Sequence, residues 1–283
     1  MKAAILALLT SWHAVTAASL TPRQEPTLTL SSNVSTSLLD RIIARGHLLV
    51  GTTGDYKPFS YLTNTTNSTT ATRYIGADID MALSLSTSLG LSAPPTFIPT
   101  AFANLSSDIA ASRFDIAMSG ISITLARALT TFFSTPVLRV GKAACVRCAD
   151  VDKFQSLADI DRPGVRVATP DGGSNLVFDR ANLHAAEIVV YADNNVIFRE
   201  VVDGNADVVV TDVVEAQLQE VLHPGVLCAV NPERPFSFEE LGYILPRDVV
   251  WLQFVNQWLH VQQGSGAWNA TLQRWMEYPW PQV

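Results

Sequence analysis

Short runs rich in β-branched residues alternate along the chain with segments whose apolar residues recur at helical spacing. The short runs predict β-strands and the intervening segments predict amphipathic helices. This order predicts an α/β protein with mostly parallel sheets flanked by helices. The 207–211 run has no polar alternation, which is typical of a strand at a sheet centre. Strands are predicted at residues 48–52, 96–99, 115–119, 165–168, 187–191 and 207–211, and helices at residues 78–89, 174–183, 196–202, 213–221, 249–261 and 268–276.

The first residues have the pattern of a secretory signal peptide, which we place at 1–18. Lys2 precedes an apolar stretch over residues 3–9, and the small residues at 15–18 suit signal peptidase. The alternative is a buried N-terminal helix. No later segment has the ~18 uninterrupted apolar residues that a membrane span requires. We therefore expect a secreted protein without a membrane span.

The net charge and the glycosylation motifs limit which partners and which compartment we expect. The net charge of −7 on 283 residues is spread along the chain without a basic run, which argues against binding to nucleic acid. Asn-x-Ser/Thr triplets predict glycosylation on a eukaryotic secretory route, although such triplets also occur by chance. The sequence leaves self-association into a homo-oligomer open. The triplets begin at Asn33, Asn64, Asn67, Asn104 and Asn269.

The chain has three cysteines, Cys145, Cys148 and Cys228. In an oxidising compartment this number predicts one disulfide and one remaining thiol. Cys145 and Cys148 have the spacing of a redox motif, but they follow an apolar extended segment instead of opening a helix, which disfavours redox chemistry. A single CxxC without a nearby histidine does not indicate zinc. We expect neither a metal nor a cofactor.

Two loops of the first half follow a predicted strand and carry candidate binding residues. The loop at 51–61 combines glycines and aromatic residues with Asp55, and its alternative interpretation is an ordinary turn. The loop at 119–127 ends at Arg127, which can hold a carboxylate through two parallel hydrogen bonds. Alone, Arg127 would be a solvated helix residue. In an open parallel sheet such loops lie where ligands bind, so we predict an anion site here.

Two loops of the second half have the same position between a strand and a helix. In the loop at 169–175, two adjacent glycines let backbone N–H groups approach an anion, although a Gly-Gly turn is weak on its own. In the loop at 211–215, Asp212 and Glu215 are three residues apart at a helix start and share a face. The alternative is structural, with Asp212 as helix cap and Glu215 as its capping-box partner.

Together these loops resemble the type II periplasmic solute-binding fold (solute-binding protein family 3) and, within it, the cyclohexadienyl dehydratase family. The resemblance extends from about residue 39 to 281. It implies two lobes around a ligand cleft, with lobe 1 at 38–141 plus 242–283 and lobe 2 inserted at 142–241. The matching motifs are GTTGDYKPFSY at 51–61, GADIDMA at 76–82, RFDIAMSGISI at 113–123, FDRANL at 178–183, VDGNADVVVTDVVEA at 202–216 and QWLH at 257–260.

The resemblance also implies an activity and a set of site residues. The family dehydrates and decarboxylates prephenate or arogenate, giving phenylpyruvate or phenylalanine, so the chain is expected to be a lyase that binds a small carboxylate. Glu215 resembles the proposed general acid, Asp55 the acid of the first cleft loop, and Arg127 the carboxylate-binding arginine. The resemblance pairs Cys148 with Cys228. Further binding candidates are Tyr56, Lys57, Phe102, Gly120, Ser122, Thr124, Gly173, Ser174 and Asp212.

A protonated carboxyl can supply the proton that a departing ring hydroxyl needs. For Glu215 to remain protonated near neutral pH, burial and repulsion from Asp212 must raise its pKa against the helix N-terminus, which favours the ionised form.

Departures from the family pattern favour a second interpretation. Phe102 replaces a cleft tryptophan, Pro170 an asparagine, and Leu176 a polar residue. The alternative is a non-catalytic protein that binds an amino acid or small carboxylate. In that protein, Asp212 would pair with an α-ammonium and Glu215 would only cap a helix.

Overall fold

The computed structural model describes residues 36–63 and 73–281. The predicted signal peptide and the triplets at Asn33, Asn64 and Asn67 lie outside these residues. The α-helices are α1 Leu38–Arg45, α2 Ala77–Ser88, α3 Leu105–Ala110, α4 Leu125–Ala128, α5 Leu157–Ile160, α6 Ser174–Asn182, α7 Ile197–Val202, α8 Val213–Leu222, α9 Val249–Gly264 and α10 Ala267–Met276. The strands are β1 Leu49–Thr52, β2 Asp55–Tyr56, β3 Ser60–Thr63, β4 Arg73–Ile75, β5 Thr96–Pro99, β6 Ile116–Ala117, β7 Phe132–Phe133, β8 Leu138–Val140, β9 Lys142–Arg147, β10 Arg166–Pro170, β11 Glu187–Tyr191, β12 Val208–Asp212, β13 Leu227–Val230, β14 Glu239–Leu241 and β15 Ile244–Leu245.

Two five-stranded sheets form the centres of two lobes. The first sheet has the order β5-β1-β6-β15-β7, and the second has the order β11-β10-β12-β9-β13. In the first, β1 runs parallel to β5 and β6, whereas β15 runs antiparallel to β6 and β7. The second repeats this pattern, with β12 parallel to β10 and antiparallel to β9. Four of the five strands in each sheet thus run in the same direction, which confirms the prediction of mostly parallel sheets, and one strand in each, β15 or β9, is antiparallel.

The opposite direction of β9 and β15 follows from the way in which the chain passes between the lobes. Each β-α-β unit adds a parallel strand, but β9 and β15 are the first strands after a passage and enter their sheets in the opposite direction. The passages lie between β7 and β9 and between β13 and β15. There β8 pairs antiparallel with β14. The boundaries predicted at 141/142 and 241/242 fall within these passages.

Each lobe has a hydrophobic core beside its sheet. The core of lobe 1 includes Trp251, Trp258, Trp268 and Trp275, so the tryptophans of α9 and α10 pack inward as their helical spacing predicts. In lobe 2, β12 is the middle strand and all of its residues are buried, which confirms the predicted central strand. Separate clusters of buried side chains contact this sheet. The candidate loops therefore follow strands whose sheets are packed against hydrophobic cores.

Cys148 and Cys228 form a disulfide with an S–S distance of 2.05 Å, and Cys145 is a buried free thiol. Cys148 follows strand β9 and begins a short 3₁₀-helix, Cys148–Lys153. This position agrees with the sequence argument against a thioredoxin-like redox motif. Among the described residues, none of the helices is long and apolar enough to cross a membrane.

Candidate active site

Glu215 lies in the first turn of α8 and is 2% exposed. The hydroxyl of Thr211 donates a hydrogen bond to one carboxyl oxygen, and the Nδ2 of Asn194 donates to the other at 3.2 Å. Burial raises the pKa of Glu215 to about 8, because desolvation outweighs these hydrogen bonds. Repulsion from Asp212 also raises this pKa, and Lys142 lowers it. A pKa of about 8 favours the protonated form of Glu215 at neutral pH.

Asp212 precedes α8 and makes contacts that a helix cap would not. Its carboxylate accepts hydrogen bonds from the Tyr56 hydroxyl of lobe 1 and from the Lys142 ammonium, whose Nζ lies 2.7 Å from Oδ1. It accepts no capping hydrogen bond from the helix backbone. The capping-box alternative for Asp212 and Glu215 is therefore wrong. The charged and phenolic donors hold the carboxylate away from the N–H groups of the helix.

Lys142 is a buried cation that the sequence did not single out as a site residue. Its side chain has no exposed surface and also contacts Glu239, with 3.3 Å between Nζ and Oε2. Burial lowers the pKa of Lys142, but attraction to Asp212 and Glu239 more than offsets this and raises it. Nζ also donates to Ser174 Oγ at 3.0 Å and to Asn175 Oδ1 at 2.6 Å. This ammonium therefore connects the start of α6 to the start of α8.

Arg127 lies in α4, and its guanidinium faces backbone groups. It donates to the carbonyl of Ser122 at 3.0 Å and to the carbonyl of Phe102 at 3.4 Å. Among the residues that the structure describes, Arg127 has no carboxylate within ion-pair distance. Burial lowers the pKa of Arg127. The guanidinium thus retains donors for an added carboxylate.

The loop before Arg127 is hydrogen-bonded to a buried carboxyl. Gly120 has a φ of +60°, and a Cβ there would lie 2.4 Å from a ring carbon of Phe59. Its N–H donates to Asp78 at 2.7 Å, and the Tyr243 hydroxyl donates to the other oxygen of Asp78 at 3.0 Å. Burial raises the pKa of Asp78 to about 7. Sequence reasoning missed this support, because nothing in the GADIDMA motif indicates that Asp78 contacts Gly120 and Tyr243.

The third predicted loop approaches lobe 1 across the cleft. The hydroxyls of Ser174 and Ser122 lie 2.9 Å apart and share a hydrogen bond. Gly173 precedes α6, so the loop brings free N–H groups of a helix start to the cleft. A Cβ on Gly172 would lie 2.7 Å from the Cβ of Ala103 in lobe 1. Glycine is therefore required where this loop packs against lobe 1.

Most of the predicted binding residues line one cavity between the lobes, the cleft cavity. Its volume is about 30 Å³, so a ligand with an aromatic-sized ring requires the lobes to separate. A larger cavity of about 490 Å³ adjoins it and also includes Thr124. The two cavities share Phe102, Arg127, Gly173 and Ser174. The cleft cavity is lined by Tyr56, Phe102, Gly120, Ser122, Arg127, Pro170, Gly173, Ser174, Asn175, Asn194, Asp212 and Glu215.

Two predicted residues, Asp55 and Lys57, do not line the cleft cavity. They lie on a different cavity, behind Glu215, together with Asn194. Lys57 donates to the carbonyl of Pro281 at 3.0 Å, and burial lowers its pKa to about 8. The expectation that Asp55 and Lys57 act in the cleft is corrected on this point, because both side chains line the cavity behind Glu215 and neither lines the cleft cavity.

Sequence reasoning missed three polar residues around Glu215 and Asp212, namely Asn175, Asn194 and Lys142. Asn175 donates to the Thr211 hydroxyl at 3.0 Å, and that hydroxyl donates to Glu215. Asn194 comes from a loop without any motif. Lys142 offered one signal, a single lysine within an otherwise apolar strand segment.

Of the glycosylation triplets, Asn104 and Asn269 are exposed. In the part of the chain that is described, His, Cys, Asp and Glu side chains form no group of three or more suited to a metal.

The chain belongs to family 3 of the bacterial extracellular solute-binding proteins, whose family model matches residues 48–278. The two-lobed α/β fold with a cleft is the fold of this class. The crystal structure of an ancestral amino-acid-binding protein, described as a precursor of cyclohexadienyl dehydratase, has a TM-score of 0.76 and 33% identity. That match covers 85% of this chain and all of that one. The predicted family and fold are thereby confirmed.

Within this class, the chain is similar to cyclohexadienyl dehydratase of Pseudomonas aeruginosa. The two are 49% identical over 245 residues, which cover 87% of this chain and 88% of that protein. The crystal structure of an ancestral cyclohexadienyl dehydratase is 45% identical and covers 87% of this chain and 98% of its own, with a TM-score of 0.54. The family is an extracellular one. Its bacterial description and this bacterial relative do not support the eukaryotic origin that the triplets suggested.

Proposed function

We propose that this protein is a lyase of the cyclohexadienyl dehydratase type, which converts prephenate to phenylpyruvate or arogenate to phenylalanine. The observation that carries the proposal is the environment of Glu215. A buried carboxyl with a pKa of about 8 shares one cavity with a guanidinium that has no carboxylate partner among the described residues. A proton donor and an anion-binding group are what this reaction requires. The 49% identity to the Pseudomonas aeruginosa enzyme supports the same assignment.

In the proposed reaction, Arg127 and the Gly173 and Ser174 N–H groups hold the carboxylates of the substrate. Glu215 gives its proton to the ring hydroxyl as the C–O bond breaks. The bond to the ring carboxylate breaks at the same time, and its electrons complete the aromatic ring as carbon dioxide leaves. Closure of the lobes excludes water, which strengthens the electrostatic interactions inside the site. Phe102 and Tyr56 supply aromatic walls of the cavity.

The second candidate is a non-catalytic protein that binds an amino acid, and it is favoured by the ancestral amino-acid-binding relative. The changes at Phe102 and Pro170, both in the cavity lining, also favour it. Against it, the carboxylate that would pair with an α-ammonium, Asp212, is already bonded to Lys142 and Tyr56. An α-ammonium would have to displace one of these donors.

One assay separates the two candidates. Purified protein is mixed with prephenate at neutral pH, and phenylpyruvate formation is followed against a matched sample without protein, since prephenate also reacts on its own. Arogenate is tested in parallel, with phenylalanine as the product. We expect product formation that scales with protein concentration. Calorimetric binding of an amino acid without any product would support the second candidate.

We further propose that the chain is secreted after removal of residues 1–18 and that ligands bind between lobe 1 and lobe 2. The extracellular family supports secretion. N-terminal sequencing of the protein collected from the medium or periplasm tests the cleavage site, and a start at Ser19 is the expected result. In a eukaryotic host, we expect the exposed Asn104 and Asn269 to accept glycans, which endoglycosidase treatment would reveal as a loss of mass.

A further inference from the structure

Glu215 lies between the cleft cavity and the cavity that Asp55 and Lys57 line, which we call the rear cavity. The rear cavity is on the other side of Glu215 and shares only Glu215 and Asn194 with the cleft cavity. Its volume is about 30 Å³, which is room for about two water molecules. The titratable side chains in its lining are Asp55, Lys57, Arg199, Glu215 and His223.

The proposed reaction consumes one proton in every turnover. Prephenate, with two carboxylates, gives phenylpyruvate with one, together with neutral carbon dioxide and water. The departing hydroxyl takes its proton from Glu215, so the enzyme is left with a carboxylate at this position. Before the next turnover, Glu215 must regain one proton from the solvent. During the reaction, the cleft face of Glu215 is covered by the substrate.

The rear cavity leads from the buried carboxyl toward solvent. Glu215 and Asn194 are buried at its inner end, whereas His223 is half-buried and Arg199 is exposed at its outer end. Asn194 lies between the Glu215 carboxyl and the Asp55 backbone, because its Nδ2 donates to Glu215 at 3.2 Å and to the backbone carbonyl of Asp55 at 2.9 Å. The lining thus has polar side chains at both its buried and its exposed end, beside the apolar Phe198, Leu222 and Pro281.

Two buried acceptors in this lining have no hydrogen-bond donor within the described chain. They are the Oδ1 atoms of Asp55 and Asn194. Buried polar atoms are nearly always satisfied by protein or by water, so these two favour ordered water in the rear cavity. Burial also raises the pKa of Asp55, against a hydrogen bond from Thr53 and with added repulsion from Asp193. A carboxyl with a raised pKa exchanges protons with water closer to neutral pH.

We propose that the rear cavity is the route by which Glu215 regains its proton, with the Asp55 carboxyl and water passing the proton inward from solvent. Asp55 takes a proton from solvent at the outer side and releases it to water that protonates Glu215, so the net transfer is one proton and no group is oxidised or reduced. Asp55 acts only through Glu215 and does not touch the substrate. This inference rests on the proposed function. The competing route is through the cleft, when the lobes open to release product.

Rapid-mixing kinetics of Asp55→Asn tests the route. Asparagine keeps the size and polarity of aspartate but cannot transfer the proton. At a pH about 1.5 units below the pKa of Glu215, the resting enzyme starts protonated, so its first turnover should keep the wild-type rate constant. Later turnovers should slow by about tenfold or more. The result is a burst of one product per active site, which the wild type lacks.

A small protonated buffer such as imidazolium provides the second measurement. If Asp55 passes protons, the steady-state rate of Asp55→Asn should rise with the imidazolium concentration at constant pH and ionic strength, and the wild-type rate should not. Asp193→Asn is the matched control, because it neutralises a nearby exposed carboxylate that is not part of the cavity lining. It should show neither a burst nor buffer dependence.

The outcomes separate this inference from the proposed function. If the wild type turns over prephenate and Asp55→Asn shows no burst and no buffer dependence, protons reach Glu215 through the cleft and the inference fails alone. An Asp55→Asn variant that is slow in its first turnover, without buffer dependence, also overturns the inference, because Asp55 is then needed for the chemistry itself. If the wild type forms no product from prephenate or arogenate, the proposed function fails and the inference fails with it.

Discussion

The hydroxyl of Tyr56 in lobe 1 donates a hydrogen bond to the carboxylate of Asp212 in lobe 2, across the cleft. The hydroxyls of Ser122 and Ser174 form a second contact between the lobes. Together with the packing of Val214 and Leu218 from α8 against the lobe 1 core, these contacts hold the cleft closed. A closed cleft of about 30 Å³ must open before a substrate enters.

Tyr56→Phe is expected to shift the ligand-free protein toward an open state. The variant keeps the ring but loses a hydrogen bond to a charged acceptor, which is worth about 1.5–3 kcal/mol. Small-angle X-ray scattering of the ligand-free protein should show a larger radius of gyration than that of the wild type. Tyr61→Phe is the control, since the Tyr61 hydroxyl makes no hydrogen bond to the described residues. Equal scattering of Tyr56→Phe and wild type would contradict the role of this contact.

Glu215→Gln is expected to abolish most turnover while leaving KM within a few fold. Glutamine keeps the shape and the hydrogen-bonding reach of glutamate but cannot deliver a proton to the departing hydroxyl. The loss should therefore fall on kcat, by about 10²–10⁴-fold. Steady-state kinetics with prephenate measures both constants.

Glu220→Gln in the same helix is the matched control, because Glu220 is exposed and lies outside the cavities described above. It should retain the wild-type kcat. A Glu215→Gln variant with most of the wild-type rate would exclude Glu215 as the acid.

Arg127→Ala is expected to weaken binding of the product phenylpyruvate. Loss of a charged donor costs about 1.5–3 kcal/mol, or roughly 10- to 150-fold in Kd. Arg127→Lys should fall between alanine and wild type, because lysine keeps the charge but not the two parallel donors. Isothermal titration measures the three affinities, with Arg162→Ala, a surface arginine, as control. Unchanged affinity in Arg127→Ala would place the carboxylate elsewhere.

Replacing Cys148 and Cys228 together by serine is expected to destabilise the protein. The disulfide joins residues 80 positions apart, so it restricts a long loop of the unfolded chain. Such crosslinks typically contribute about 2–4 kcal/mol. Urea denaturation compares the double variant with Cys145→Ser, which leaves the bond intact. Peptide mapping without reductant that recovered a Cys145–Cys148 bridge would contradict the pairing.

The sequence predicted many elements of the fold and the mostly parallel direction of its central strands. The strands predicted at 96–99 and 187–191 have those bounds in the structure, and helices at 213–221 and 268–276 differ by one residue. The 115–119 strand is limited to Ile116–Ala117. The short strands around the 51–61 loop were missed, because two to four half-buried residues give no clear alternation. The single antiparallel strand in each sheet was not predicted, because its direction depends on the passages between lobes, which hydrophobic patterning does not encode.

For the site, the motifs located Glu215, Arg127 and Asp212 but did not reveal what surrounds them. A buried lysine is stable only beside acids, so the position of Lys142 became meaningful only when the fold brought it to Asp212 and Glu239. The same contact overturned the capping alternative. Asn194 was missed for the same reason, since its contact with Glu215 joins two separate segments of lobe 2.

Buried carboxyls make the stability of this protein depend on pH in a defined direction. Burial raises the pKa of Asp78 and of Asp179 to about 7, and that of Glu215 to about 8. Between about pH 4 and these values, the folded state holds protons that the unfolded chain has released. Unfolding then releases protons, so the free energy of unfolding should fall as the pH rises. The acids whose pKa is lowered, such as Asp108 and Asp161, titrate below this window.

We therefore expect the protein to be more stable at about pH 5 than at about pH 8. Urea denaturation at several pH values measures how steeply the free energy of unfolding falls with pH. This slope should be shallower in Glu215→Gln and in Asp179→Asn, because each variant lowers by one the number of protons that unfolding releases. Activity should fall over the same upper range, since ionised Glu215 has no proton to donate as the pH passes about 8. Stability that rises steadily from pH 5 to 8 would mean that these carboxyls are ionised in the folded protein. Glu215 could then not act as the proton donor at neutral pH.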